Sequence, residues 1–230
     1  MQNPDWKMRI PCNQELVALI EKGIVCVENH PVHHLEVGIR EAILLALGGR
    51  NEFANDADTV SDEEAETGYR RRMDLLLASL EKVLPIWEKS WPDNDFVQRM
   101  MAEIRTFPHL HLSNEAQEEM EAAIYEKLEY ADELTNETRS IAGVVAMAAA
   151  RGLSLAVYDG FLSDDIDLAR VDHEDFMANE SHFYVAAAFA GGPPYPIALS
   201  IAGDAEKRKE FWLWWLTEAV PSAVNSIRGR

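Results

Sequence analysis

The feature that most constrains the fold is a run of six large apolar residues near the C-terminus. These residues are Phe211, Trp212, Leu213, Trp214, Trp215 and Leu216. Six consecutive residues on an α-helix point to every side of it, so this helix keeps no polar face for water. It must be buried in a core or shared with a partner. We favour the core, because burying each ring stabilises the fold by roughly 2 kcal/mol or more. Arg208 precedes Trp212 by four residues, which allows a cation–π contact.

The rest of the chain also carries helix signals. Apolar residues recur every three to four positions, and residues that cap helix N-termini precede four of these segments: Asn13, Ser61 with Glu64, Asp93 and Ser113. Helix-stopping residues follow at Gly48–Gly49, Pro85, Pro108 and Gly191–Gly192–Pro193. Pro85 is expected either to kink or to end its helix.

No segment shows a convincing strand pattern. An alanine-rich helix is predicted to end near Tyr158, and its small residues, among them Gly143, would let neighbouring helices approach closely. We therefore predict an all-α fold: a single-domain irregular bundle of about eight to ten helices over residues 1–230, with an acidic loop near 50–60.

The charge balance excludes whole classes of partner. Asp and Glu number 40 against 21 Lys and Arg, for a net charge of −19. Such a surface repels the phosphates of nucleic acids and of anionic membranes, and it attracts a basic protein. The N-terminus shows no signal-peptide pattern, and two cysteines are too few for a disulfide framework, so a cytoplasmic protein is expected.

Few residues suggest a catalytic or metal-binding role. Cys26, His30, His33 and His34 lie close together and are zinc-ligand types, but their spacing matches no closed zinc pattern. His173–Glu174–Asp175 lies in an acidic connection, Asp159–Asp175, that is typical of a solvated loop. Phosphate-loop, nucleophile-elbow and HExxH motifs are absent from the sequence. No catalytic residue, metal or cofactor is therefore predicted. The basic run Arg70–Arg72 is interpreted as helix-surface pairing, with Glu66 four residues before Arg70.

Two aromatic segments resemble a known family. Lys207–Ala223 joins a basic stretch to Phe-Trp, a second aromatic pair and Glu-Ala-Val-Pro, and Leu84–Asp95 places two tryptophans before Pro-Asp. Tyr158–Asp159 and Phe183–Tyr184 leading to Gly191–Gly192 add weaker matches. Together they resemble the fifth numbered family of predicted immunity proteins of bacterial polymorphic toxin systems. The motif residues given a structural role are Arg208, Phe211, Trp212, Trp214, Trp215, Glu218 and Pro221.

The resemblance implies a helical cytoplasmic protein that binds and neutralises a cognate toxin, often a nuclease, by non-catalytic occlusion. Such a protein is no enzyme, and its partner is expected to be basic. Two alternatives stay open. One is a metal-dependent enzyme using His30, His33 and His34, and the other is an oligomeric scaffold that uses the tryptophan helix as its interface, with its oligomeric state left open.

The residues that contact the toxin are expected among acids in loops, which can present several carboxylates to one basic groove. The candidates are Asp62, Glu63, Glu64, Asp164, Asp165, Asp167, Asp172, Glu174 and Asp175. The acids between Glu115 and Glu137 are instead interpreted as a helix face that merely keeps the protein solvated.

Overall fold

The computed structural model describes residues 4–10, 13–48, 62–107, 114–138, 140–157, 167–172, 180–193 and 203–226. A 3₁₀-helix, Pro4–Arg9, precedes the α-helices. These are α1 (Gln14–Asn29), α2 (Val37–Ala46), α3 (Asp62–Ser90), α4 (Phe96–Thr106), α5 (Asn114–Thr138), α6 (Ile141–Val157), α7 (Ser181–Ala190), α8 (Ala205–Trp214) and α9 (Val220–Asn225). No strand occurs in these ranges, and the all-α prediction is confirmed.

The chain divides into two compact units. Unit 1 comprises Met1–Leu75, Asp159–Ala178 and Ala205–Arg230, and unit 2 comprises Leu76–Tyr158 and Asn179–Asp204. The organisation of the whole chain as a single domain stays a prediction. None of the helices in the described ranges is long and apolar enough to cross a membrane.

Helix α6 forms the centre of unit 2 and packs against α4, α5 and α7. Nearly all of its residues from Ala142 to Ala156 are buried. A Cβ atom on Gly143 would lie 2.7 Å from the Thr135 Cα and 3.1 Å from the Leu134 carbonyl oxygen. The small residues of α6 therefore do let a neighbouring helix, α5, approach backbone to backbone, as the sequence predicts.

The arginines of the basic run Arg70–Arg72 bind the C-terminal end of helix α2 in unit 1 and a glutamate on their own helix. Arg71 donates to the Leu47 carbonyl at 2.9 Å, and Arg72 donates to the Gly48 carbonyl. Both cations thus lie at the C-terminal end of α2, where the helix dipole favours positive charge. The predicted pair of Arg70 with Glu66 is confirmed, with Nε 2.6 Å from Oε1.

One predicted helix end is confirmed by the structure, and two others differ from the prediction. The Asn13 side chain caps α1 by accepting from the Leu16 N–H, as predicted. Helix α3 continues through Pro85 to Ser90, so Pro85 does not end it. Pro85 and Glu81 are both exposed, and water can bond the Glu81 carbonyl that proline leaves without a donor. Helix α4 begins after Asp95 rather than Asp93, because the Asn94 side chain accepts from the Phe96 N–H.

Other predicted boundaries lie outside the described residues. These are the Ser61 capping box, the loop near 50–60, Pro108, Ser113 and most of Asp159–Asp175.

The aromatic run begins at the end of helix α8 and continues into a π-helical turn, and most of its side chains are buried. Phe211, Trp212, Trp215 and Leu216 are all at most 1% exposed, in agreement with the core interpretation. The turn, Trp215–Ala219, wraps one extra residue, and the Val220 N–H bonds the Trp215 carbonyl five residues back. This turn places Pro221 at the start of α9, where a missing N–H is tolerated.

We predict that Gly143→Ala destabilises the protein by about 1–3 kcal/mol, because the added methyl group meets backbone that cannot move aside. Gly152→Ala on the same helix is the matched control. Its Cβ would meet only side-chain ends, at 3.2–3.3 Å, and alanine favours helix by about 1 kcal/mol over glycine. Urea denaturation of both variants measures the difference. Equal stability would show that the close approach is not needed.

Candidate functional site

The segment between α1 and α2 folds into a histidine-rich turn within unit 1. His33 has a φ of 52°, in the left-handed region that histidine visits more readily than most residues. The His33 N–H donates to the His30 carbonyl at 2.9 Å. The His30 Nδ1 accepts from the backbone N–H groups of Val32 and His34 at 3.3 and 3.2 Å. These bonds fix the direction of the imidazoles.

The three imidazoles of the turn contact three different groups. The ring nitrogens lie 3.1 Å from Glu36 for His30, 2.8 Å from the Val27 carbonyl for His33 and 3.0 Å from Asp172 for His34. The Cys26 thiol donates to the His34 carbonyl over 3.6 Å, and burial raises the pKa of this thiol. The group that suggested a metal-dependent enzyme therefore makes separate internal contacts instead of converging on one ligand.

The centre of the site is the carboxylate of Asp172, which is 2% exposed. Arg40 donates to both of its oxygens, at 2.7 and 2.9 Å. The Val37 N–H, at the first residue of α2, donates to Oδ2 at 3.0 Å, and the His34 Nε2 donates to the same oxygen. Asp172 thus caps α2 from more than 130 residues away, and the helix dipole favours its negative charge there.

Segment 167–172 is held against α2 by several contacts. A Cβ atom on Gly38 would lie 2.2 Å from the Asp167 carbonyl oxygen, so this close approach requires glycine at position 38. The Gly38 N–H donates to the Arg170 carbonyl at 3.3 Å, and the Arg170 side chain donates to both carboxylate oxygens of Glu41 at 3.0 and 2.8 Å. These contacts hold Asp172 at the N-terminal end of α2.

Burial and charge together set the protonation of this site. Burial lowers the pKa of His34 to about 4; the hydrogen bond and charge of Asp172 oppose this shift, while the charges of Arg40 and Arg208 add to it. Burial alone would raise the pKa of Asp172. The charge of Arg40 and the hydrogen bonds from His34 and Arg40 outweigh burial and hold that pKa well below its usual range. At neutral pH the site therefore holds a neutral imidazole beside an ionised carboxylate.

The site is better suited to an internal ion pair than to a metal ion. Ligand atoms of His34, Glu36 and Asp172 lie within 4.8 Å of one another, a spacing that a metal could use. However, the Arg40 guanidinium already holds both oxygens of Asp172, and a metal cation would have to displace it. The predicted alternative of a metal-dependent enzyme gains no support from this geometry.

Helix α8 forms one wall of the site. The Arg40 guanidinium carbon lies 5.6 Å from the centre of the Trp212 ring, and the His34 ring meets Trp212 edge-on at 5.7 Å. Arg208 donates to the Val32 carbonyl at 2.9 Å. The Trp212 ring thus stacks with Arg40, which is distant in sequence, while Arg208 anchors the histidine turn. The scaffold alternative, which needs the tryptophans at an interface, is not favoured by their burial.

The acids predicted to contact a toxin have different locations. Glu63, Glu64 and Asp167 are exposed. Asp172 corrects the prediction, since it is buried and bonded within the chain rather than displayed on a loop. The Asp62 side chain and Asp164, Asp165, Glu174 and Asp175 lie outside the described residues. Among the family-motif residues, Arg208, Phe211, Trp212, Trp215 and Pro221 are buried, Trp214 is half-buried and Glu218 is exposed.

Sequence reasoning missed Arg40 and Glu36 altogether. Arg40 and Glu41 are the only charged residues of α2, whose other residues are apolar, and Arg40 is fully buried there. A buried charge needs a partner of opposite sign, and the adjacent Glu41 pairs with Arg170 instead. That rule could have prompted a search for an acid in another segment, but it could not have selected Asp172.

We predict that Trp212→Ala lowers the free energy of unfolding by about 3–5 kcal/mol, because it leaves a large cavity in the core. The half-buried Trp214 provides the control, and its replacement by alanine should cost clearly less. Chemical denaturation of both variants measures the difference. An unchanged stability for Trp212→Ala, with loss of partner binding, would make this ring an interface residue.

We also predict that the protein loses about 2 kcal/mol of stability between pH 7 and pH 5 through His34. In the unfolded chain His34 takes up a proton near pH 6.5, whereas in the folded protein it does so near pH 4. The stability that neutral His34 contributes is therefore fully present above pH 6.5, and it is lost as the pH falls toward 4. Urea titrations at several pH values measure this slope.

His34→Gln should flatten the slope, because glutamine can donate to Asp172 but does not titrate. His30→Gln is the control that removes a neighbouring imidazole and should keep the slope. The same slope for wild type and His34→Gln would contradict the assignment.

Comparison with known proteins identifies the family. A family model described as Immunity protein Imm5 matches residues 20–222. This range includes the histidine turn, Arg40, Asp172 and the aromatic helix. No curated protein matches the chain. Membership indicates an immunity protein directed against a toxin and implies a cognate toxin as partner. Because the match covers most of the sequence, this chain belongs to the Imm5 family of immunity proteins.

Proposed function

We propose that this protein neutralises a cognate nuclease toxin by binding to it and covering its nucleic-acid groove, without chemistry. The family match over residues 20–222 carries the proposal, since it supplies the toxin as partner. The arrangement at Asp172 supports a non-catalytic role, because its charged groups are committed to internal contacts.

The charge of the chain supports a nuclease as the target. A nuclease binds phosphates and needs a basic groove, and a chain with a net charge of −19 complements such a groove. Opposite charges steer the two proteins together and raise the association rate. The same negative charge competes with the nucleic acid for the groove, so binding there would exclude the substrate.

The acids predicted from the sequence to contact the toxin remain candidates for this electrostatic binding, except Asp172. Asp172 serves as a buried structural cap, whereas Glu63, Glu64 and Asp167 are exposed. We place the action in the cytoplasm, where a nuclease toxin meets its substrate and where the thiol of Cys26, a free cysteine, stays reduced.

The test uses the toxin encoded by the gene adjoining the gene for this chain. We predict that the purified protein abolishes the nuclease activity of that toxin at about one molecule per toxin. The association rate, measured by stopped-flow fluorescence, should fall about tenfold or more as ionic strength rises about tenfold, because salt screens the steering field.

Two results would contradict the proposal. Inhibition at far below one molecule per toxin, with a changed toxin mass, would indicate an enzyme instead of an occluding inhibitor. An association rate independent of salt would contradict electrostatic capture. Dissociation of the complex in denaturant should return toxin of unchanged mass, which serves as the control for non-catalytic inhibition.

A further inference from the structure

Helix α5 of unit 2 exposes one broad face with an unusual composition. Its buried side packs through Ile124, Ala131 and Leu134. The opposite side carries exposed residues at helical spacing: Glu119, Ala122, Tyr125, Glu126, Glu129, Tyr130, Asp132, Glu133 and Asn136. We call these nine residues the α5 face. It contains five carboxylates and two tyrosines but no cation.

The carboxylates of the α5 face are not matched by positive charge within the described part of the chain. Lys127, on the flank of the helix, lies 2.6 Å from Glu103 on α4. Two acids elsewhere in unit 2 do have cationic partners: Glu81 pairs with Arg105, and Asp95 pairs with Arg99. None of the five carboxylates forms an ion pair with a described residue. Nearby cations therefore do not neutralise the electrostatic field of these five carboxylates, and this field extends into the solvent.

The two tyrosines give the α5 face apolar surface. Tyr125 is 70% exposed and Tyr130 is 39% exposed. Tyrosine is enriched among the residues that dominate protein–protein binding, since it buries a large area at a low cost in side-chain entropy.

Tyr130 is held in place before any partner arrives. Its ring meets Phe96 at 5.0 Å, and its hydroxyl accepts a hydrogen bond from the Asn94 side chain at 3.2 Å. The Asn94 carbonyl in turn accepts from the Trp87 ring N–H at 2.7 Å. A preorganised ring surrounded by carboxylates is suited to a partner with a cationic rim and an apolar centre.

We infer that the α5 face is the docking surface for the cognate toxin, with Tyr125 and Tyr130 as apolar anchors and the five carboxylates as a charged rim. The inference rests on the proposed function, which supplies a basic partner, and it replaces the sequence-based interpretation of these acids as a face that merely keeps the protein solvated. Charge complementarity selects this occupant. Nucleic acid and anionic membranes would be repelled, and a second copy of the chain would bring the same acids against each other.

The first experiment compares two double charge reversals that bring the net charge from −19 to −15 alike. One is Glu126→Lys with Glu129→Lys on the α5 face, and the matched control is Asp74→Lys with Glu88→Lys, two exposed acids of α3 that are not among the candidate toxin contacts. The toxin encoded beside this chain is the probe. We expect the α5 variant to associate about tenfold more slowly at low salt, and the α3 variant to associate nearly as fast as wild type.

The second experiment tests the aromatic anchor. Tyr125→Ala should raise the dissociation rate of the complex about tenfold or more, with little change in association. Met8→Ala is the control, because Met8 is an apolar side chain of unit 1 that is 74% exposed. Circular dichroism and thermal melting should show all four variants folded, since exposed side chains contribute little to stability.

The outcomes separate the two proposals. If wild type does not bind or inhibit the toxin, the proposed function fails. If wild type inhibits and both double reversals slow association equally, the toxin responds only to net charge, and the α5 face is overturned as the docking surface. Slower association of the α5 double reversal alone, together with faster dissociation of Tyr125→Ala, supports the inference.

Discussion

The ion pair between Arg40 and Asp172 is the interaction on which unit 1 depends most. Arg40 is fully buried and Asp172 is nearly so, and a buried charge without its partner destabilises a protein by about 3–5 kcal/mol. The same carboxylate also accepts hydrogen bonds from His34 in the turn and from Val37 at the start of α2. One acid therefore joins the histidine turn, helix α2 and segment 167–172.

Helix α2 shows how this arrangement is stabilised electrostatically. Asp172 lies at its N-terminus, while Arg71 and Arg72 donate to carbonyls at its C-terminal end. Each charge lies where the helix dipole favours it. A cluster of histidine and acidic side chains in a buried setting would ordinarily suggest catalysis. Here its principal donors and acceptors bind one another, which is the arrangement of a structural centre and supports the proposed non-catalytic inhibition.

The sequence predicted what depends on neighbouring residues and missed what depends on distant ones. Helical spacing, the Asn13 cap and the Glu66–Arg70 pair are local, and the structure contains all three. The burial of Trp212 follows from an apolar run that leaves no polar face. Asp172 was expected on the surface because it stands in an acidic stretch, and local composition cannot reveal a buried arginine 132 residues away. Pro85 was ambiguous because only the fold decides whether its helix face meets water.

The distribution of surface charge distinguishes acids that serve folding from acids that do not. Glu66, Glu81 and Glu103 form ion pairs with nearby cations, and such pairs contribute modestly to stability. On the α5 face, Glu126 and Glu129 are three residues apart, and Glu129 and Glu133 are four apart. Each pair of like charges at such a spacing destabilises a helix by about 0.2–0.5 kcal/mol. A lysine at any of these positions would relieve that repulsion and keep the helix. Folding therefore gives no reason for every charged residue of the α5 face to be acidic, whereas a basic partner would.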